Sequence, residues 1–144
     1  MEYILEGCFF GFLAYFVLTI FVMLGRNCVK NEPKNEPDGF RGIKWGESLP
    51  NIDDFDLIEQ NGLVKIFNKK NEKLTFGGAC LESIHYVFYK DQFFNVALKT
   101  KGHDNVNNLT DSLFDTFGTP KKTNLVQDKY QWKGQVATIE FDIV

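Results

Sequence analysis

Cysteine and histidine are scarce in this chain, with three Cys and two His among 144 residues. Cysteines so few and so scattered build neither a disulfide framework nor a Cys-rich zinc module. A dominant charge sign is also lacking. Sixteen Lys+Arg stand against 19 Asp+Glu, a formal charge of −3, which gives no electrostatic case for nucleic acid, whose binding wants a clustered basic face. The sequence contains no GxGxxG, P-loop, GxSxG or HExxH motif. Apolar residues, by contrast, are plentiful: 44% of the chain is hydrophobic and 15% aromatic, with 15 Phe. That is too apolar for a disordered protein, and the length suits one ordinary domain with a short appendage.

The apolar residues are unevenly spread. Gly7 to Gly25, GCFFGFLAYFVLTIFVMLG, is a run of 19 residues without a charge. As a helix rising about 1.5 Å per residue it reaches roughly 28 Å, close to the ~30 Å hydrocarbon core of a bilayer. A cleaved signal peptide would want a basic start and a small-x-small cleavage site. Here the start is MEYILE and the run is followed by Arg26 and Asn27. The expectation is therefore an uncleaved, single-pass transmembrane anchor over residues 1–28. Lys and Arg flank it only on the C-terminal side (Arg26, Lys30, Lys34, Arg41, Lys44). The positive-inside rule then leans the rest of the chain toward the cytoplasm, at the inner membrane if the source is bacterial. Gly7 and Gly11 form a GxxxG pair, a candidate helix-packing site for a homodimer.

Residues 29–39 contain two NEP units, polar and broken by Pro33 and Pro37, and read as an extended tether. The folded domain is expected over residues 40–144. Ile84, Tyr86 and Phe88 alternate on one strand and Phe94, Val96 and Leu98 on the next. Keeping the two sets on one face of a hairpin pairs Phe88 with Phe94, Tyr86 with Val96 and Ile84 with Leu98. A plain two-residue Lys90-Asp91 turn breaks this parity, so a longer turn or a bulge is expected around Lys90 to Gln92. Val106, Leu109, Leu113, Phe114 and Phe117 recur at helical spacing, with Asp104 or Asn105 to cap the start and Gly118 to close the end. Tyr130 and Trp132 then face Ala137, Ile139 and Phe141 in a second hairpin. The second half thus reads β-β-α-β-β.

In the first half, Ile43 and Trp45 suggest a short strand, and Ser48 a cap for a short helix from Leu49 to Phe55. Leu63 to Phe67 and Leu74 to Phe76 suggest a hairpin around NKKNEK. The fold class expected is α+β: an antiparallel sheet with helices mainly on one face, behind a transmembrane helix. The chain ends at Asp142-Ile143-Val144, still in strand character, which raises an open edge able to accept another strand.

Chemistry-bearing residues are thinly placed. Cys80 and His85 are five apart and fall on opposite faces of a straight strand, which disfavours a nucleophile–base pair. His85 and His103 lack a compact set of partner ligands. Asp53, Asp54, Asp56 and Glu59 lack EF-hand spacing and read as a solvated helix end. No metal and no cofactor are expected. The Asn108-Leu109-Thr110 sequon matters only in a glycosylating pathway. What stands out is the second face of the first hairpin, where His85, Val87, Tyr89, Phe93 and Ala97 form a candidate docking surface.

FRGIKWGESL, the ACLESIHYVFYKDQFFNVAL hairpin, the FGTP helix end and the Y-x-W strand resemble a group of uncharacterised bacterial α+β domains carried behind a signal or membrane segment. The resemblance spans about residues 40 to 142 and implies a fold, with a sheet one strand longer than this chain supplies after residue 142. It implies no activity. The expected function is a membrane-tethered module that docks an unidentified protein or envelope component. A structural membrane protein oligomerising through its helix, and a small hydrolase using His85 or the Asp53–Glu59 carboxylates, are the alternatives.

Overall fold

An eight-stranded antiparallel sheet dominates the chain in the computed structural model, which describes residues 16–22, 32–124 and 126–143. In chain order the elements are β1 (Phe16–Val22), β2 (Gly39–Phe40), β3 (Ile43–Lys44), a 3-10 turn (Ile52–Asp54), β4 (Phe55–Asn61) and β5 (Val64–Lys69). They continue with β6 (Thr75–Phe76), β7 (Ala79–Cys80), β8 (Ser83–Tyr89), β9 (Gln92–Thr100), α1 (His103–Phe117), β10 (Lys121–Asn124), β11 (Asp128–Lys133) and β12 (Ala137–Ile143). The large sheet runs β10-β11-β12-β1-β9-β8-β5-β4, while β2–β3 and β6–β7 are small separate hairpins. The protein is α+β: mostly sheet, with one α-helix among the described residues.

One face of the sheet carries the core. Ile84, Tyr86 and Phe88 of β8, Phe93, Val96 and Leu98 of β9, and Ile139 and Phe141 of β12 are almost wholly buried there. Val106, Leu109, Leu113 and Phe117 of α1 pack into the same cluster, with Phe40 and Ile43 from β2–β3. At about 25 cal/mol per Å² of apolar surface, side chains of this size each contribute about 1.5–3 kcal/mol.

The first hairpin keeps Tyr86 opposite Val96 and Ile84 opposite Leu98, as the alternation requires. Parity is restored by a bulge rather than by a longer turn. Lys90 and Asp91 form a two-residue turn with φ of 52° and 60°, the left-handed pair that a twisted hairpin favours. The register then shifts between Val87 and Phe88, so that Phe93 opposes Phe88 and Phe94 is the extra residue. Phe93 therefore belongs to the core, contrary to its place in the expected docking surface.

The bulge also receives the G-I-x-W-G segment. Gly46 N–H donates to the Phe93 carbonyl at 2.8 Å, and Phe93 N–H donates to the Glu47 carbonyl at 2.7 Å. Trp45 stacks on Phe93 with ring centroids 4.9 Å apart, and its indole N–H donates to the Pro37 carbonyl. A side chain at Gly39 would meet the Ile43 carbonyl at 2.1 Å, so this tight β2–β3 pairing needs glycine there.

The second hairpin matches its expected register, with Tyr130 opposite Phe141 and Trp132 opposite Ile139. Trp132 is fully buried, and its indole N–H donates to the Gly118 carbonyl at 2.9 Å. The helix closes at Gly118, φ 84°, as its sequence indicates. Its start, however, is Gly102 without a side-chain cap. Asn105 instead ties α1 to β7, accepting from Cys80 N–H and donating to the Lys101 carbonyl.

Several expectations for the first half give way. Only Ile52–Asp54 forms a turn of helix, capped by Asn51 rather than Ser48. Phe55–Asn61 is an edge strand paired with β5, and β5 pairs on its other side with β8 rather than with residues 74–76. The second half gains a strand, β10. The expected tether is bound over part of its length: Lys34 N–H and the Asn35 amide donate to the carbonyls of Phe117 and Thr116. Those are C-terminal helix carbonyls, which otherwise lack partners. Glu36 then accepts from the backbone N–H groups of Val136 and Ala137.

The largest departure concerns the apolar run. Residues 16–22 form a strand, not a helix, lying between β9 and β12 with Leu18 opposite both Leu98 and Phe141. No helix among the described residues is long and apolar enough to cross a membrane. The remainder of the run, with Gly7 and Gly11, lies outside the described residues. A continuous apolar stretch rich in Val, Ile and Phe suits a central strand as well as it suits a membrane helix. Strand β12, expected as an edge, is therefore paired on both sides.

Candidate functional site

The second face of the large sheet is not covered by α1 or the small hairpins. Across β5, β8 and β9 it presents Val64, Ile66, His85, Val87, Tyr89 and Ala97, aligned by the register Val64–Tyr89, Ile66–Val87 and His85–Ala97. Val87 is buried yet stands outside the core cluster. It is shielded on the face opposite the helix.

Four of the five residues expected to dock a partner share this face: His85, Val87, Tyr89 and Ala97. Phe93 does not, being 0% exposed in the core. The bulge residue Phe94, partly exposed, takes its place beside Tyr89, with ring centroids 6.1 Å apart. Tyr89 itself is 44% exposed, and the Lys90 ammonium lies 5.3 Å from the centre of its ring. The patch is thus an aromatic pair beside the half-buried or buried aliphatic positions Val64, Ile66, Val87 and Ala97, with the Lys90 ammonium at its edge. The substitution of Phe94 for Phe93 depended on the bulge.

His85 is half-buried, and its Nδ1 lies 2.8 Å from Asn68 Oδ1. Burial, and then the positive charge of Lys99, hold its pKa below the ordinary 6.5. The neutral ring donates through Nδ1–H to the amide oxygen. The neighbouring carboxylate in this row is Asp56, opposite Asn68 on β4 and 3.5 Å from Lys70 Nζ. His85 and the acidic stretch therefore lie on separate strands, with Asn68 interposed. Cys80 sits exposed in the β6–β7 hairpin, apart from the β8 strand that carries His85. His103 opens α1, beside Asn107. Among the described residues, no group of three or more His, Cys, Asp or Glu is placed to hold a metal ion.

A cleft of about 260 Å³ opens between β5, the 71–74 loop and the start of β8, lined by Asn68, Lys69, Glu72, Leu74, Glu82 and Ile84 among others. The Glu72 carboxylate is already engaged. It accepts from Arg41 at 2.8 Å and from the buried Tyr86 hydroxyl at 2.5 Å. Burial, reinforced by that carboxylate, raises the Tyr86 pKa far above its ordinary value. Arg41 also donates to the carbonyls of Lys73 and Thr75. This network clamps the 72–75 loop to β2–β3.

No protein-family model, curated protein or solved structure matches the chain. The conspicuous motifs have structural work here. G-I-x-W-G seats on the Phe93 bulge, F-G-x-P ends α1, and Y-x-W covers that helix end through Trp132.

Proposed function

We propose that this protein is an interaction module that docks a protein or envelope component through the β5–β8–β9 part of the sheet face opposite α1. The observation carrying this reading is the Tyr89–Phe94 pair, an exposed aromatic anchor on a face lined by Val64, Ile66 and Val87. Aromatic side chains flanked by aliphatic ones, with a charged rim, have the anatomy of a docking patch. A photo-cross-linking residue at Tyr89 in cells tests it. A discrete adduct lost on Phe94→Ser supports the reading; a folded chain that yields no adduct contradicts it.

A second reading keeps residues 7–25 as a membrane-spanning anchor, with the domain on the cytoplasmic side. Its support is the uncharged length of the run and the flanking Lys and Arg. Residues 16–22 cannot be helix in a bilayer and strand in the sheet at once, so anchoring requires β1 to leave its place.

A further inference from the structure

The ladder between β5 and β8 stops short of the ends of both strands. It closes at Phe67 opposite Tyr86, although β5 continues to Lys69 and β8 begins at Ser83. Beyond that point the sheet forks. Asn68 Oδ1 and His85 Nδ1 still lie 2.8 Å apart, but Lys69 and Ile84, next in register, do not pair. Strand β5 stays on β4 as far as Phe55–Lys69, and β8 stays on β9 as far as Ser83–Lys99. The cleft of about 260 Å³ opens in this fork. Strand ends that part in this way offer main-chain groups to an extended segment from elsewhere.

Both walls are fixed before a ligand arrives, which lowers the cost of binding. Arg41 holds the 72–75 loop through Glu72 and the carbonyls of Lys73 and Thr75. Glu82 is held by Lys101 at 2.7 Å, and its backbone N–H donates to the Lys99 carbonyl. The two carboxylates that line the cleft are thus each matched by a cation. The Lys69 ammonium is not. It forms no ion pair among the described residues and lies 5.9 Å from the centre of the Phe55 ring. The other uncommitted groups are donors. Ser83 Oγ is buried with no hydrogen-bond partner, and Asn68, its amide oxygen taken by His85, keeps two N–H donors. Leu74 and Ile84 add an apolar wall. Donors around one unmatched cation suit a carboxylate, and parted strand ends suit an extended main chain.

We infer that the fork between β5 and β8 binds the C-terminal end of a partner polypeptide. The terminal carboxylate lies against Lys69 and the Asn68 amide. The last main-chain groups lie against the parted ends of β5 and β8, and an aliphatic last side chain against Leu74 and Ile84. A volume of about 260 Å³ is below the ~300–1,000 Å³ of pockets that take drug-sized ligands, which suits a chain end. The site lies at the end of β8 away from Tyr89 and stands or falls without the Tyr89–Phe94 patch.

Hexapeptides held by their N-termini and varied over the last three positions test the site against the full chain. Each is presented as the free acid and as the C-terminal amide. Saturable binding is expected, strongest for aliphatic last residues, with free acids at least about tenfold tighter than their amides. Lys69 is exposed, so Lys69→Met keeps the fold and the stem beside Phe55 while removing the charge. In that chain the acid-to-amide ratio falls to within about twofold, and in Lys69→Arg most of it remains. Absence of saturable binding, equal binding of acids and amides, or an acid preference that survives Lys69→Met overturns the inference. So does binding of amidated peptides ending in aspartate as tight as that of the free acids, which would assign Lys69 to side-chain carboxylates.

Discussion

Phe93 and Phe94 are adjacent, chemically identical, and opposite in consequence. Phe93 stacks under Trp45 and touches Tyr86 and Phe88, so Phe93→Ala should cost about 3–5 kcal/mol. Phe94→Ala should cost less than about 1 kcal/mol while removing the proposed docking anchor. Urea denaturation of the two variants checks the contrast. His85 adds a pH signature. Its lowered pKa means that the unfolded chain takes up a proton at a higher pH than the folded chain does. The stability it contributes is present above pH 6.5, the unfolded value, and is lost as pH falls from there through the lower folded pKa. The His85→Asn chain should lose that part of the slope in urea midpoints measured from pH 8 to pH 5.

At the scale of elements, Glu36 joins a stretch expected to be free to the turn before β12. Glu36→Ala leaves two backbone N–H groups without their acceptor and should cost about 1–3 kcal/mol, read from the thermal or urea midpoint. The composition of NEPKNEP concealed this, because its polar groups bind backbone partners that only the fold supplies. The second half was the legible part. Period-two alternation in β8, β9, β11 and β12, and the 3.6-residue spacing in α1, each report one buried face. Even the need for an irregularity in the first hairpin was legible from parity, though not its position after the Lys90-Asp91 turn. Strand β4 was hidden by its composition. As an exposed edge it carries Asp56, Glu59 and Gln60, and edge strands are commonly charged. Of the proposed docking residues, alternation places four on the face opposite α1, while the bulge puts Phe93 in the core and Phe94 beside Tyr89.

For the whole molecule, the decisive element is β1. The sheet places β9 and β12 on either side of it, so β1 joins β4-β5-β8-β9 to β10-β11-β12. Hydrophobicity alone could not reveal this, since a buried central strand and a bilayer-spanning helix both demand uninterrupted apolar residues. The distinction lies in the partners. In register Leu18 lies opposite Leu98 and Phe141, and Ile20 opposite Val96 and Ile139, so each position continues an apolar row already present on both neighbours. The competition with a membrane follows from this one placement.

The most direct measurement is a cross-strand disulfide. Thr19 lies opposite Ala97 in the β1–β9 register, and opposed Cα atoms in an antiparallel pair, about 4.5–5.5 Å apart, fall within disulfide reach. With Cys8, Cys28 and Cys80 changed to Ser, the chain carrying Thr19→Cys and Ala97→Cys is oxidised in membranes and after purification. The account predicts an intramolecular disulfide that forms readily and raises the urea midpoint. Two thiols that both stay open to maleimide in a chain folded by circular dichroism would contradict it.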